Sequence, residues 1–274
     1  MNSICLNGKL LPANQPALMV DNRSYRYGDG LFETMKVTSQ TISLEKFHFE
    51  RFFAGLRQMD FKIPALLTIK NLKQQILLLC KKNKCDSSAR VRLSVFRGNG
   101  GINESTDDLQ YVIECWPVKE TVNQLNENGF VIDIYPDARK SCDKFSNLKS
   151  ANFLPYVMAA RYAKENKLND CLILNMYDRI ADSTIANIFL IKDQKLFTPP
   201  LSEGCVDGVM RRYIIEQYKV NEAVLTSTDI LSADEVFLTN AMYGIRWVRQ
   251  FQNKTYNHLK TSDMHGALLK ALWS

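Results

Sequence analysis

Arg179-Ile-Ala-Asp-Ser-Thr-Ile-Ala-Asn-Ile-Phe-Leu-Ile191, continued by Lys195-Leu-Phe-Thr-Pro-Pro200 and Gly208-Val-Met-Arg211, is the stretch on which the reading of this chain turns. Ile188 to Ile191 is an unbroken apolar run of strand length, and Lys195 to Phe197 returns after a polar turn as its hairpin partner. Asp182 and Asn187 flank a short polar turn ahead of the hairpin, and Gly208 opens a helix from Val209 to Tyr218. A carboxylate at a strand end, a hairpin and a glycine-opened helix start are parts that can seat a cationic ring carrying an anion.

Upstream, Cys171 to Asn175 and Phe130 to Tyr135 read as strands of the same sheet. Between them the polar stretch Arg139 to Asn147 reads as a loop that delivers Lys149 to the start of a helix over Asn152 to Lys167. Pro155 suits the first turn of that helix, where its missing N–H leaves no bond unmade. Downstream, Glu235 to Thr239 and Ile245 to Val248 are further strands, and a closing helix is expected near His265 to Leu272.

The N-terminal part mixes periods. Strands are expected at residues 3–7, 31–37, 41–44, 90–96 and 109–116. Helical spacing of Phe49, Phe52, Phe53, Leu56 and Met59, then of Ile69, Leu72, Ile76 and Leu79, places helices at 45–60 and 67–82. Gly28-Asp-Gly30 marks a close approach of backbone to another strand or a ligand. The expected organisation is α+β in two domains: an N-terminal domain over 1–117, a polar linker at 118–129, and a C-terminal domain over 130–274.

Composition narrows the class. The 274 residues hold no apolar run of membrane-span length, and the first residues are too mixed for a signal peptide, so a cytoplasmic protein is expected. The net charge of +6 comes from Lys and Arg spread along the chain, with no basic stripe interleaved with aromatics, which argues against nucleic acid. Seven scattered cysteines without a C-x-x-C pair, and three histidines without ligand spacing, argue for reduced thiols and against a zinc site.

In order, Arg23-x4-Gly28-Asp-Gly-Leu-Phe-Glu33, His48-Phe-Glu-Arg51, Leu148-Lys149-x-x-Asn152, Asp182-x4-Asn187-Ile-Phe189, Thr198-Pro-Pro-Leu201, Gly208-Val-Met-Arg211 and Phe237-Leu-Thr-Asn-Ala241 resemble the class IV aminotransferases. The resemblance implies a two-domain fold-type IV enzyme, with a small N-terminal α+β domain and a larger C-terminal domain built on a β-barrel-like sheet. It also implies pyridoxal 5'-phosphate as cofactor, a small-molecule amino substrate and a homodimer. Under it, Lys149 carries the cofactor aldehyde on its amine and shuttles the substrate proton. Arg51 and the backbone of Val209 and Met210 bind the phosphate, with Asn240 and Ala241 contributing from a strand end. Asp182 faces the pyridine nitrogen, where the family usually carries a glutamate. Aspartate is one methylene shorter, so the strand end must sit closer, a water must bridge, or the electron sink is weakened.

Within the family, Arg97-Gly-Asn-Gly-Gly101, Lys149-x-x-Asn152, Gly208-Val-Met-Arg211 and Thr239-Asn-Ala-Met242 look most like the aminodeoxychorismate lyase pattern, which implies release of pyruvate and formation of 4-aminobenzoate for folate synthesis. The alternative is an aminotransferase acting on branched-chain or D-amino acids, and a remoter one is a cofactor-binding protein with little catalysis. Phe32 stands where D-amino-acid enzymes carry a tyrosine, and Ile102 where the lyase pattern often has an arginine. Phe32 and Arg97 are the candidate substrate-binding residues.

Overall fold

The computed structural model describes residues 2–104 and 108–273; residues 105–107 of the loop expected between 97 and 108 lie outside them. The chain divides into two compact units, one ending at Val122 and taking in Lys149–Asn152, the other holding Asn123–Leu148 and the chain from Phe153 onward.

The first unit carries β1 (Ser3–Leu6), β2 (Lys9–Pro12), α1 (Arg23–Tyr27), β3 (Gly30–Thr38), β4 (Thr41–Ile42), α2 (Glu45–Gln58), α3 (Ile69–Lys82), β5 (Ser88–Arg97) and β6 (Leu109–Pro117). Its six strands form one sheet in the order β2-β1-β6-β5-β3-β4, with every pair antiparallel. Two tight hairpins close on pairs of left-handed residues, Asn7-Gly8 and Ser39-Gln40, whose positive φ matches the twist of the flanking strands. Helix α2 packs on β3 through Phe49, Phe52 and Leu56, and α3 packs on β1 and β6 through Leu72, Ile76 and Leu79. These are the apolar stripes that the helical spacing predicts.

The second unit carries β7 (Phe130–Lys140), α4 (Leu154–Glu165), β8 (Asp170–Asn175), β9 (Ile180–Ser183), β10 (Asn187–Lys192), β11 (Lys195–Thr198), α5 (Val209–Gln217), β12 (Val220–Glu222), α6 (Ser227–Leu231), β13 (Glu235–Asn240), β14 (Gly244–Phe251), β15 (Lys254–Thr255) and α7 (Leu259–Leu272). Its mixed sheet runs β12-β11-β10-β13-β14-β7-β8-β9, with β15 on the side of β14. Strands β9 and β10 stand far apart in that order, yet only residues 184–186 separate them, in a turn closed by Ser183 N–H to Ala186 O at 2.8 Å. A sheet can satisfy both facts only by curling back on itself, which gives the barrel-like shape.

Three local differences from the sequence reading have physical causes. Arg139 and Lys140, expected in a loop, belong to β7: the strand bulges between Ile134 and Arg139, where Pro136 cannot donate, and pairing resumes at Arg139 with Leu174 and continues at Lys140 with Asn175. Helix α7 starts six residues before His265, because Thr261, Met264, His265 and Leu268 form its buried stripe. Its start is satisfied from β13, where the Glu235 carboxylate accepts from the N–H groups of Lys260 and Thr261 at 2.9 and 2.8 Å. Residues Lys149–Asn152, expected in the second domain, extend the first unit instead. Phe32 N–H donates to Lys149 O at 2.9 Å and Ala151 N–H to Gly30 O at 2.8 Å, an antiparallel bridge onto β3. The predicted linker contains the division after Val122 and includes a 3-10 turn at Glu120–Asn123. Among the described residues no helix is long and apolar enough to cross a membrane.

Candidate active site

In the first unit the candidate residues gather around β3. Gly28 and Gly30, read as a close backbone approach, meet protein: a Cβ on Gly28 would stand 3.4 Å from Asn152 Cα, and one on Gly30 would stand 2.5 Å from Val95 O. The glycines admit the Lys149–Asn152 segment and β5 against the start of β3. The segment sets Lys149 beside Phe32, with its amine 4.6 Å from the centre of the ring; the Arg92 guanidinium lies 3.7 Å from the same centre. Two of the predicted residues, Lys149 and Phe32, are therefore neighbours.

Arg51 sits one turn after His48 on α2, and both face Glu33 of β3. The guanidinium forks onto the carboxylate through Nε at 2.7 Å and Nη2 at 2.6 Å, while His48 Nδ1 meets it at 2.7 Å. Burial pushes the Glu33 acid upward, but the Arg51 charge and the His48 hydrogen bond outweigh it, and the carboxyl is lowered to about 2. His48 is lowered by its own burial, with the Arg51 and Lys149 charges adding to the effect, so a neutral imidazole donates from Nδ1. Arg51, predicted to bind phosphate, is thus locked in orientation by a carboxylate whose charge is permanent at neutral pH. Arg97 is held inside its own unit, with an ion pair to Asp29 at 2.6 Å, a bond to Met59 O, and its guanidinium 4.4 Å from the Phe61 ring centre.

In the second unit Asp182, on β9, is 1 % exposed. Its Oδ2 accepts from Lys140 Nζ at 2.9 Å, Tyr156 OH at 3.0 Å and Val206 N–H at 2.9 Å. Lys140 also donates to Tyr156 OH, so the three side chains close a ring. Burial, reinforced by the Asp182 charge, holds the Tyr156 phenol well above its ordinary range, which keeps it a neutral donor. Oδ1 of Asp182 is buried and has no hydrogen-bond partner among the described residues. A carboxylate with three donors on one oxygen and none on the other is prepared for one more donor. Lys140 and Tyr156 are residues that the sequence reading missed: they lie 42 and 26 positions from Asp182, and no motif joins them.

Helix α5 begins at Gly208, which has no side chain to cap it, with no acidic residue in its first turn, so the backbone N–H groups of Val209 and Met210 stand at a helix start suited to an anion. Gly208 has an ordinary φ of −67°, so its role is space: a Cβ there would fall 1.9 Å from Asn187 Oδ1. Asn187 Nδ2 in turn holds Val206 O at 2.9 Å, just before the helix. Asn240 shapes the turn after β13, where its Oδ1 accepts from Met242 and Tyr243 N–H at 2.9 and 3.2 Å and its Nδ2 reaches Ile185 O at 3.3 Å. Ala241 lies in that turn. The predicted Gly208 and Asn240 thus converge on the turn and strand start at Ile185 to Asn187. Chemically, this unit offers a buried anion for a ring N–H and a helix start suited to a small anion.

Comparison with known proteins gives this geometry a lineage. The Amino-transferase class IV family matches residues 30–251. Aminodeoxychorismate lyase of Vibrio harveyi is 28% identical over 239 residues, covering 84% of this chain and 86% of the relative. D-alanine aminotransferase of Listeria innocua is 27% identical over 253 residues, covering 88% and 85%. Among solved structures, a putative 4-amino-4-deoxychorismate lyase from Legionella pneumophila matches with a TM-score of 0.84 at 27% identity, over 94% of this chain and 96% of that one. The family match takes in Glu33, Arg51, Lys149, Asp182, Gly208 and Asn240, and this chain belongs to the class IV aminotransferases.

Proposed function

We propose that the protein binds pyridoxal 5'-phosphate and is a lyase that converts aminodeoxychorismate to 4-aminobenzoate and pyruvate. The observation that carries the cofactor reading is Asp182, a buried carboxylate held by three donors on Oδ2 and bare on Oδ1. A protonated pyridine nitrogen is the donor such an oxygen lacks. When bound, the cofactor supplies an electron sink for the charge left when a C–H bond beside the amine breaks. Lys149 would carry the cofactor aldehyde and then take the proton from the ring carbon bearing the substrate amine. Loss of the enolpyruvyl group as pyruvate is then driven by aromatisation of the substrate ring. Arg51, oriented by Glu33, and the N–H groups of Val209 and Met210 would hold the phosphate, with Asn240 and Ala241 shaping the neighbouring turn. Lys140 and Tyr156 keep Asp182 in place. Phe32, beside Lys149, would border the substrate, and Arg97 is the further substrate candidate. The resemblance also supports a homodimer, and the lack of a membrane-span-length apolar run is in keeping with a cytoplasmic one.

The lyase motifs and the relative at 28% identity support the reaction, and the similarity to a D-alanine aminotransferase supports amino transfer to a 2-oxo acid as the second reading. Purified protein loaded with pyridoxal phosphate is expected to form 4-aminobenzoate from aminodeoxychorismate. Amino transfer without 4-aminobenzoate would replace the lyase by an aminotransferase. Lys149→Ala is expected to lose the visible absorbance of lysine-bound cofactor together with all turnover, and retention of both would sink either reading.

A further inference from the structure

The spacing of the cysteines argues against a metal site, yet the fold gathers three of them in the first unit. Cys80 lies in the last turns of α3, Cys85 follows the helix cap Asn83, and Cys115 is on β6. Their Sγ atoms all lie within 4.8 Å of one another, and all three residues are buried. Cys85 and Cys115 are 3.5 Å apart.

The backbone around them is tied down. Cys85 N–H donates to Cys80 O at 3.0 Å, across a turn in which Lys84 is left-handed at φ 55°. Asn83 bonds Ser3 of β1 twice, accepting from its N–H at 2.9 Å and donating to its carbonyl at 2.8 Å. The same carboxamide then directs Nδ2 at Cys115 Sγ, 3.2 Å away. An N–H held against a sulfur is the kind of outer contact that steadies a thiolate ligand.

Three sulfurs bound to one ion at about 2.3 Å stand about 4 Å apart, so the cluster needs only small side-chain adjustments to close on an ion. No imidazole or carboxylate joins the group among the described residues. That set lacks the fourth ligand of a structural zinc centre and suits soft ions content with three sulfurs. We propose that Cys80, Cys85 and Cys115 form a three-thiolate site for a soft d10 cation of the copper(I) and cadmium(II) kind. Binding exchanges three S–H bonds for three metal–sulfur bonds, releases three protons to solvent and changes no oxidation state. The site shares no residue with the proposed cofactor set, and its ligands come from β6, α3 and the turn that follows it.

The test titrates cadmium(II) into the reduced, full-length, cofactor-loaded protein. One equivalent is expected to bind, with an ultraviolet sulfur-to-cadmium charge-transfer band and a cadmium NMR shift in the three-sulfur range. Cys80→Ser, Cys85→Ser and Cys115→Ser are each expected to weaken binding by more than about tenfold, the loss that even an outer-contact residue can cause. Cys142→Ser, outside the cluster, is expected to bind as the natural protein does. The NMR shift is read on the unsubstituted protein, so it decides the matter even where a serine variant fails to fold. Absence of stoichiometric binding, a shift of another sulfur count, or a band surviving in all three variants overturns the proposal. So does a Cys85–Cys115 disulfide as the standing state of the protein purified without reductant.

Discussion

Asp182 is clamped through one carboxylate oxygen and left open at the other. Lys140, Tyr156 and the Val206 N–H all bond Oδ2, which fixes the plane of the carboxylate and leaves Oδ1 unshared. Lys140 is the charged member of the clamp and is itself buried. Removing one partner of a buried ion pair strands the other, at a cost of about 3 kcal/mol or more. Lys140→Met is therefore expected to lower unfolding stability by about that amount. Tyr156→Phe, which removes the phenol's two hydrogen bonds, one to Asp182 and one from Lys140, and leaves the cation, is expected to lose about 2 kcal/mol. Urea unfolding of the two variants checks the order; equal losses would mean that the ion pair contributes no more than the phenol. The partners of Asp182 were not legible in the sequence, because residues brought together across a sheet leave no spacing to read.

Elements long enough to show a period were legible in the same way. Helices α2 and α3 and strands β5, β6, β8 and β10 follow their apolar patterns to within a few residues. The short pieces β2, β9, β12 and α6, of three to five residues, carry too little pattern to be seen. The start of α5 was legible as a glycine-opened helix, but the reason for the glycine was not. Backbone freedom is not the reason, since φ is −67°; the side chain of Asn187 occupies the space a methyl group would need. Gly208→Ala must then displace either Asn187, which holds Val206 O, or the first turn of α5. An overpacked site of this kind costs about 2 kcal/mol. The variant is expected to unfold at lower urea and to bind pyridoxal phosphate more weakly, measured by cofactor absorbance. Unchanged stability and affinity would show that the approach of Asn187 to the helix start is not obligatory.

At the scale of the whole chain, the pairing of Lys149–Asn152 with β3, which carries them into the first unit, has no local sign in the sequence. The two units also differ in how acid acts on them. In the first, the Glu33 carboxyl is lowered from 4.5 to about 2, so the folded state binds its proton less readily than the unfolded chain does. Its contribution is complete above about 4.5 and is lost as pH falls towards 2, roughly 3 kcal/mol in all. His48, lowered from 6.5, acts with the same sign at higher pH. In the second unit burial raises Asp170 above its ordinary 3.8 despite bonds from Ser183 and Thr184, so the folded state takes up this proton more readily, and acidification favours it. Trp116 on β6 reports the first unit and Trp247 on β14 the second. With the other tryptophans replaced by phenylalanine, the urea midpoint read from Trp116 is expected to fall more than that from Trp247 as pH is lowered from 6 to 3. Glu33→Gln is expected to flatten the Trp116 profile below pH 4.5, because the group that exchanges the proton is gone. Parallel shifts at both tryptophans, or a Trp116 profile unaffected by Glu33→Gln, would show that acid sensitivity arises elsewhere than in the Glu33, His48 and Arg51 cluster.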